Sequence, residues 1–543
     1  MDALDSRIQT RSQSKLAKNT SPTSSKWLKE FQGMTKFEQM SALESLVGAC
    51  LPTQLRHLQC LVEPLLQKDF ISLLPREIST YIISLLSPND MVSAAKTCRY
   101  WRALCEDNFL WKQKCNEAGI KQGMTPNLAR RHYWEQITRQ NEDPDMPTYE
   151  SSKPTEVQLF DSKNNNCFER ARWKAIYLRH QRIRQNWFSN NPTSQVNLPH
   201  GAQPHDEHVI TGLQINGDII ATASDDQTVR IWSATTARCL HSLHGHSGGV
   251  WTLLLSEDGS RAISGSTDRT IRIWDTKDGK LIHTLQGHTS TVRCLSIHGD
   301  ILVSGSRDCT LRIWNIQTGL LLQVLYAHLA AVRCVQFDGK RIVSGSYDFK
   351  IAVFDANTYV RKHLLAGHTD RLDGSRDLII SGSLDTTIRI WNCETGLLIH
   401  KLLGHQSLTS GMQLRGNTLG KFKTLFKFLL TPIQQLRQIW NITEGTCVHT
   451  LSGPNRHLSA VTSLQFIYDD LVATSSDDGT VKLWDVKNGA FVCNLVKLSH
   501  DQRAGGCIWR LKATGTMLVC AVGSRNGIED TKLVLLDFDS SYP

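Results

Sequence analysis

The sequence predicts an α+β multidomain protein, with an all-α N-terminal segment followed by an all-β array that closes into a propeller. Two observations carry this prediction. Up to about residue 120, apolar side chains recur at helical spacing and prolines fall where helices would open. From residue 204 onward the chain repeats itself, and its copies can be aligned on one aromatic: Trp232, Trp274, Trp314, Phe354, Trp391, Trp440 and Trp484, spaced 42, 40, 40, 37, 49 and 44 residues apart. That spacing is the period of four-stranded propeller blades. At 543 residues the chain exceeds one ordinary core.

The copies share further features. Gly-His pairs open most of them (Gly245-His246, Gly287-His288, Gly367-His368, Gly404-His405), and Trp-Asp or Trp-Asn closes them, which marks WD repeats. Alternating apolar strands from Cys507 to Phe538 read as an eighth copy without the full signature, so eight blades are expected, with seven as the fallback. Two copies are irregular. In the fifth, His368 to Asp385 spans 17 positions against 20 in the third and fourth. In the sixth, the tract from Gly420 to Pro432 replaces the expected Ser-Gly-Ser-x-Asp turn and reads as foreign sequence, such as translated intron.

A His and an Asp recur with Ser or Thr nearby, as in His288 with Asp308, His328 with Asp348 and His457 with Asp478. One such set resembles a hydrolase triad. Its recurrence around the array argues instead for a structural network, because catalysis needs one activated nucleophile.

The repeat also supplies an internal control for single residues. Five positions after the histidine the copies carry Ile210, Trp251, Arg293, Arg333, Ser410 and Thr462; just before the turn aspartate they carry Asp225, Thr267, Arg307, Tyr347, Leu384 and Asp477. Arginine occurs only in the third and fourth copies, so the fold does not require Arg293, Arg307 or Arg333. Three guanidiniums at one channel mouth repel unless an anion lies between them, and a phosphate, carrying roughly −1.5 to −2 charge, fits best. Trp251 and Tyr347 border the cluster.

In the N-terminal part, residues 1–25 read as a disordered tail and 26–66 as a helical segment, either a hairpin packed on its own chain or a self-association surface. The stretch 67–115 carries Leu74, Pro75, Glu77, Ile78, Leu85, Pro88 and Trp111 on three short amphipathic helices with more apolar residues than so small a segment can bury. This stretch resembles an F-box, which implies docking on the adaptor of SCF (cullin-RING) ubiquitin ligases through those residues. Residues 116–200 read as a helical linker whose Arg170, Arg172, Lys174, Arg179, Arg182 and Arg184 form a solvated face, and residues 201–543 as the propeller. No base-reading module accompanies the basic run, so no nucleic-acid partner is expected.

Together the two halves resemble the F-box/WD-repeat receptors that recognise doubly phosphorylated degrons of the cyclin E, Notch and Myc type. That resemblance implies a non-catalytic receptor in which Arg293, Arg307, Arg333 and Tyr347 hold a first phosphate. Thr267, Arg269, Ser290 and Thr291 approach a second, and the 26–66 segment pairs two copies. The remaining alternative is a phosphopeptide-binding scaffold without ligase function.

Composition sets bounds. The net charge is +10, which suits acidic partners. Fifteen scattered cysteines read as free, buried thiols, with no metal-ligand spacing and no cofactor implied. No apolar run is long enough to span a membrane, and a nuclear and cytoplasmic location is expected.

Overall fold

The computed structural model describes residues 22–66, 69–120, 171–198, 205, 208–366, 370–375, 378–383, 387–403, 413–415, 428–432, 437–451, 453–498, 506–524 and 531–540. It divides into two compact units, Met1–Asp107 and Asn108–Pro543.

In the first unit the described residues form helices α1 (Pro22–Gly33), α2 (Lys36–Gly48), α3 (Pro52–Leu66), α4 (Phe70–Leu73), α5 (Arg76–Ser84), α6 (Pro88–Ala94) and α7 (Arg99–Cys105). Helix α1 begins inside the stretch expected to be tail. A reciprocal Thr35–Glu38 capping box opens α2 and satisfies two of its orphan donors, and no residue of α2 is buried. Asp69 caps α4 and accepts a 2.8 Å bond from the Trp101 indole, tying α4 to α7. Ser87 caps α6, whose first residue is Pro88, the position where a missing N–H costs nothing. Ile71, Ile83 and Met91 are fully buried.

In the second unit, α8 (Asn108–Glu117) packs against α9 (Arg172–Ser189). Five helical segments therefore cover 70–117 where three were expected, because Pro75, Pro88 and the Asp69 and Ser87 caps each break the chain into a new start. Helix α9 is only in part the solvated face its charges suggested: Arg172 and Arg182 are exposed and Arg170 lies outside the described residues, but the other three are engaged. Arg179 is buried on Asp539 and the Ser540 carbonyl, Arg184 pairs with Asp470, Lys174 is buried beneath the Trp111 ring, and Trp187 stacks on Phe538 at 3.8 Å.

Thirty-two described strands, β1–β32 in chain order, form eight four-stranded antiparallel sheets. Blades one to eight begin with inner strands β2 (Ile210–Asn216), β6 (Val250–Leu255), β10 (Val292–His298), β14 (Val332–Phe337), β18 (Asp370–Ser375), β22 (Gln413–Arg415), β26 (Val461–Tyr468) and β30 (Gly506–Ala513). Each inner strand neighbours the next, and β30 returns to β2, so the ring closes. The outermost strand of blade eight is β1 (Ser194–Leu198), pairing with β32 (Lys532–Asp537) in register Val196↔Leu535. The propeller therefore starts inside the 116–200 stretch expected to be linker. Strand β1 supplies the fourth strand of the last sheet and covers the edge that β32 would otherwise expose.

The recurring His-Asp pairs are structural. His288 Nδ1 lies 2.7 Å from Asp308 and Nε2 lies 2.8 Å from Ser304 Oγ, which also accepts a 2.9 Å bond from the Trp314 indole N–H. The same arrangement recurs at His205, His246 and His457, and at His328 without the tryptophan. Ser304 is fully buried, out of reach of any substrate.

A second recurring contact joins neighbouring blades at the rim. The Nε2–H groups of His241, His283, His363, His400 and His449 donate to the carbonyls of Lys277, Gln317, Glu394, Thr443 and Lys487, at 2.6, 3.0, 2.8, 3.2 and 2.8 Å. Each ring lies on a turn glycine of the next blade; at Gly279, Gly319, Gly396, Gly445 and Gly489 a Cβ would meet it at 3.0 Å or less. The junction of blades three and four carries Gln323 and Tyr359 instead, with Tyr359 packed into the apolar layer between the blades. His283→Ala is therefore expected to lower stability by about 1 kcal/mol and Gln323→Ala by far less, measured by urea unfolding.

The described strands of blade five match blade two in length, whereas the inner strand of blade six, β22, has only three residues. Strand β18 pairs with its neighbour without a register shift, and in blade six Phe428–Pro432 forms β23, paired on both sides. His368, Leu384, Asp385, Ser410, Gln434 and most of the foreign tract lie outside the described residues, as do 1–21 of the expected tail. Among the described residues no cysteine is disulfide-bonded; Cys105, Cys115 and Cys520 are buried, whereas Cys60, Cys98, Cys239 and Cys447 are exposed, against the expectation that all would be buried. Among them, too, no helix is long and apolar enough to cross a membrane.

Candidate functional site

The inner strands position the site through one device. In six blades the pairing register shifts at the start of the inner strand, leaving one bulged residue: Thr211, Trp251, Arg293, Arg333, Thr462 and Trp509. A bulge leaves its residue out of the ladder and re-aims the side chain. Trp251, Arg293 and Arg333 are thus presented by three consecutive blades. This corrects one assignment: in blade one the slot belongs to Thr211, not to Ile210, which is buried, because that loop is one residue longer. Trp509 of blade eight was missed for want of a Gly-His marker.

The turn slot approaches from the same side. The backbone N–H of Arg307 donates to Thr291 O at 2.9 Å, that of Tyr347 to Ala331 O at 3.1 Å, and that of Thr267 to Gly249 O at 3.0 Å, which places each turn residue beside the loop leading into its own inner strand. Arg293, Arg307, Arg333 and Tyr347 are brought together. Burial lowers the Arg293 pKa first, the Arg333 and Arg307 charges lower it further, and Tyr347 opposes them. The Arg293 guanidinium lies 4.3 Å from the centre of the Trp251 ring, which half covers it. Arg341 pairs with Glu394, whereas among the described residues no carboxylate pairs with Arg293 or Arg307. Arg293 and Arg307, held together beside Arg333, offer charge to an anion, and guanidinium forks match phosphate oxygens.

Thr267 and Arg269, one blade away in blade two, are exposed; Ser290 and Thr291, in the loop entering blade three itself, are half-buried. Arg269 sits at φ +70, in the turn position that Gln227, Cys309 and Phe349 also occupy with positive φ.

In the F-box-like stretch, Ile78 and Leu85 are exposed apolar residues, Pro75 and Glu77 are exposed, and Leu74 and Pro88 half-buried. Leu73 and Tyr81 are exposed as well, though motif reading did not single them out. Trp111 is not part of any such surface. It is fully buried, with the Tyr177 ring centre 5.3 Å away, so its expected role on an adaptor gives way to packing α8 on α9.

Comparison with known proteins matches residues 71–117 to the F-box-like family. Residues 200–233, 237–275, 279–315, 319–355, 361–392 and 445–485 match the WD domain, G-beta repeat family. The chain is 45% identical over 523 residues to the F-box/WD repeat-containing protein sel-10 of Caenorhabditis elegans, covering 94% of this chain and 86% of that protein. It belongs to the F-box/WD repeat-containing family.

A second F-box/WD repeat-containing relative, F-box/WD repeat-containing protein 7 of Drosophila melanogaster, is 48% identical over 234 residues, 43% of this chain and 15% of that one. The "Probable E3 ubiquitin ligase complex SCF subunit sconB" of Arthroderma benhamiae is 25% identical over 209 residues, 37% of this chain and 28% of its own length. The chain thus carries an F-box-like helical stretch and a WD-repeat β ring.

Proposed function

We propose that this F-box/WD-repeat protein is the substrate-recognition subunit of an SCF ubiquitin ligase. Its F-box residues dock on the adaptor and, through it, on the cullin-RING scaffold. The propeller takes phosphorylated segments of substrates, and a separate conjugating enzyme performs ubiquitin transfer, so no residue of this chain is assigned a catalytic role. Membership of a family with a sconB relative named as an SCF subunit supports the first half of this reading. The observation that carries the second half is the cluster of Arg293, Arg307 and Arg333 on adjacent blades with Trp251 across Arg293.

The first phosphate is assigned to those arginines with Tyr347, and a second to Thr267, Arg269, Ser290 and Thr291. The exposed apolar residues of α1–α3, Trp27, Phe37, Met40 and Leu51 among them, support pairing of two copies, and a nuclear and cytoplasmic location belongs to the same proposal.

Two measurements test the two halves separately. The adaptor should be captured by the unmodified chain and lost in Ile78→Asp/Leu85→Asp, with thermal unfolding unchanged because both side chains face solvent. An unmodified chain that captures no adaptor sinks the ligase reading. Titration with phosphorylated and unphosphorylated versions of one peptide tests the propeller, and equal binding of both sinks the phosphate reading.

A further inference from the structure

Blade eight departs from the other blades in the layer it turns towards its predecessor. In blade three that layer holds Trp314 and Arg312 of β12 (Thr310–Asn315), together with His288. At Gly287, which opens blade three, a Cβ would run into the Arg312 guanidinium and touch the Trp314 ring, so these side chains fill the gap. Trp232 with Arg230, Trp274 with Arg272 and Trp391 with Arg389 hold the same positions. In β32 the register puts Leu536 where Trp314 stands and Val534 where Arg312 stands. No Gly-His pair precedes blade eight either. The smaller side chains leave a cavity of about 290 Å³ between β32 and the end of β29 (Ala490–Lys497). Leu495, Val496, Leu498 and Val534 wall it with apolar groups, while Lys497, Lys532, Gln195 and Asn197 bring polar ends to it. Lys497 is exposed and Lys532 half-buried, and neither makes an ion pair or hydrogen bond with any described residue. Two ammonium groups at one cavity offer charge to an acid.

The strand beside the cavity is open on one side. Gln195 and Asn197 belong to β1, the outermost strand of its sheet. One edge of β1 pairs with β32; along the other, alternate residues present backbone N–H and C=O groups that no described strand takes. Its sequence, Ser-Gln-Val-Asn-Leu, holds no proline and no charge to guard that edge. Gln195 and Asn197, two residues apart, share the cavity face, and Val196 points the other way into the layer with blade one. A strand laid along β1 would therefore put every second side chain on the cavity side. The outermost strands of the other blades end their sheets too. The cationic cavity sets this edge apart from theirs.

We propose that the outer edge of β1 takes an extended acidic segment of a partner protein, whose backbone continues the sheet of blade eight and whose glutamate or aspartate side chain enters the cavity that Lys497 and Lys532 line. Backbone pairing supplies the binding, and the cavity selects the side chain. Charge complementarity makes the segment acidic; the unpaired edge makes it extended. This surface lies on the outside of the ring at blades seven and eight, whereas the arginine cluster lies on the inner strands of blades three and four. The proposal does not rest on the phosphopeptide reading above.

The test titrates the full chain with a fluorescent peptide of about eight alternating threonine and valine residues. It carries one glutamate at either of two adjacent central positions, so that in one version the acid faces the cavity. That version should bind, and replacing its glutamate by glutamine should weaken binding about tenfold, the worth of one charge-assisted contact. Lys497→Gln/Lys532→Gln should bind the glutamate and glutamine peptides alike, with thermal unfolding unchanged. A peptide N-methylated at alternate amides, which cannot pair with a strand edge, should not bind. Equal binding of the glutamate and glutamine peptides to the unmodified chain overturns the proposal, as does a preference that survives the double change or the absence of binding by either version. Propionate, the glutamate side chain alone, binding as tightly as the peptide would make a small anion the occupant and overturn it. Self-association of the parent that the double change abolishes would make a second copy the occupant and overturn it too.

Discussion

Arg293→Ala is expected to weaken binding of a singly phosphorylated peptide by about 2–5 kcal/mol, from roughly thirtyfold to beyond a thousandfold, while leaving the protein at least as stable as before. The first effect follows from removing one fork of a partly desolvated phosphate cage and leaving the phosphate charge short of a partner. The second follows from the sign of the electrostatics within the cluster itself. Burial and the Arg333 and Arg307 charges all disfavour the charged form of Arg293, so its removal relieves repulsion. Arg293→Lys keeps the charge but loses the planar fork and weakens the contact with Trp251, and binding should fall about tenfold. Peptide titration and thermal unfolding on the same samples check this. If Arg293→Ala unfolds the ring, or binds the phosphopeptide as the parent does, the assignment of Arg293 is wrong.

Asp308→Asn is expected to cost about 2–4 kcal/mol of stability at neutral pH and to blunt the acid sensitivity of the whole ring. Burial alone would raise the turn carboxylates, but hydrogen bonds from histidine, hydroxyl and backbone donors outweigh it. Asp226 is lowered to about 2, and Asp268, Asp308, Asp348 and Asp478 are lowered too. A carboxyl whose folded pKa is depressed contributes stability that is fully present above the unfolded value, about 3.9, and is lost as pH falls through the folded one. The parent's urea midpoint should therefore hold above about pH 5 and fall steeply below about pH 4. The asparagine variant should start lower and fall less. A parent midpoint that is flat from pH 5 to pH 2.5 would remove the aspartates from the account of stability.

The arginine cluster was legible because the repeat provides several copies of each position, and a charge absent from the other copies stands out without any structure. Trp111 was misread because an aromatic on an amphipathic helix shows that it packs but not against what; its partner, Tyr177, lies beyond a long connector. The same distance hid Arg179 and Arg184, whose carboxylates are Asp539 and Asp470. Strand β1 was invisible for a related reason: five residues, Ser-Gln-Val-Asn-Leu, carry little period, and only pairing with β32 makes them a strand.

The closure of blade eight ties recognition to the completeness of synthesis. Arg293, Arg307 and Arg333 emerge from the ribosome long before β32, yet the ring that holds their blades shut is sealed only when β32 finds β1 and Arg179 finds Asp539. A chain stopped before β32 carries Arg293, Arg307 and Arg333 on an arc that lacks this closing contact. If the arginines bind phosphate as proposed, a fragment that ends before β30 should bind a phosphopeptide more weakly than the full chain, even though its sequence holds all three of them.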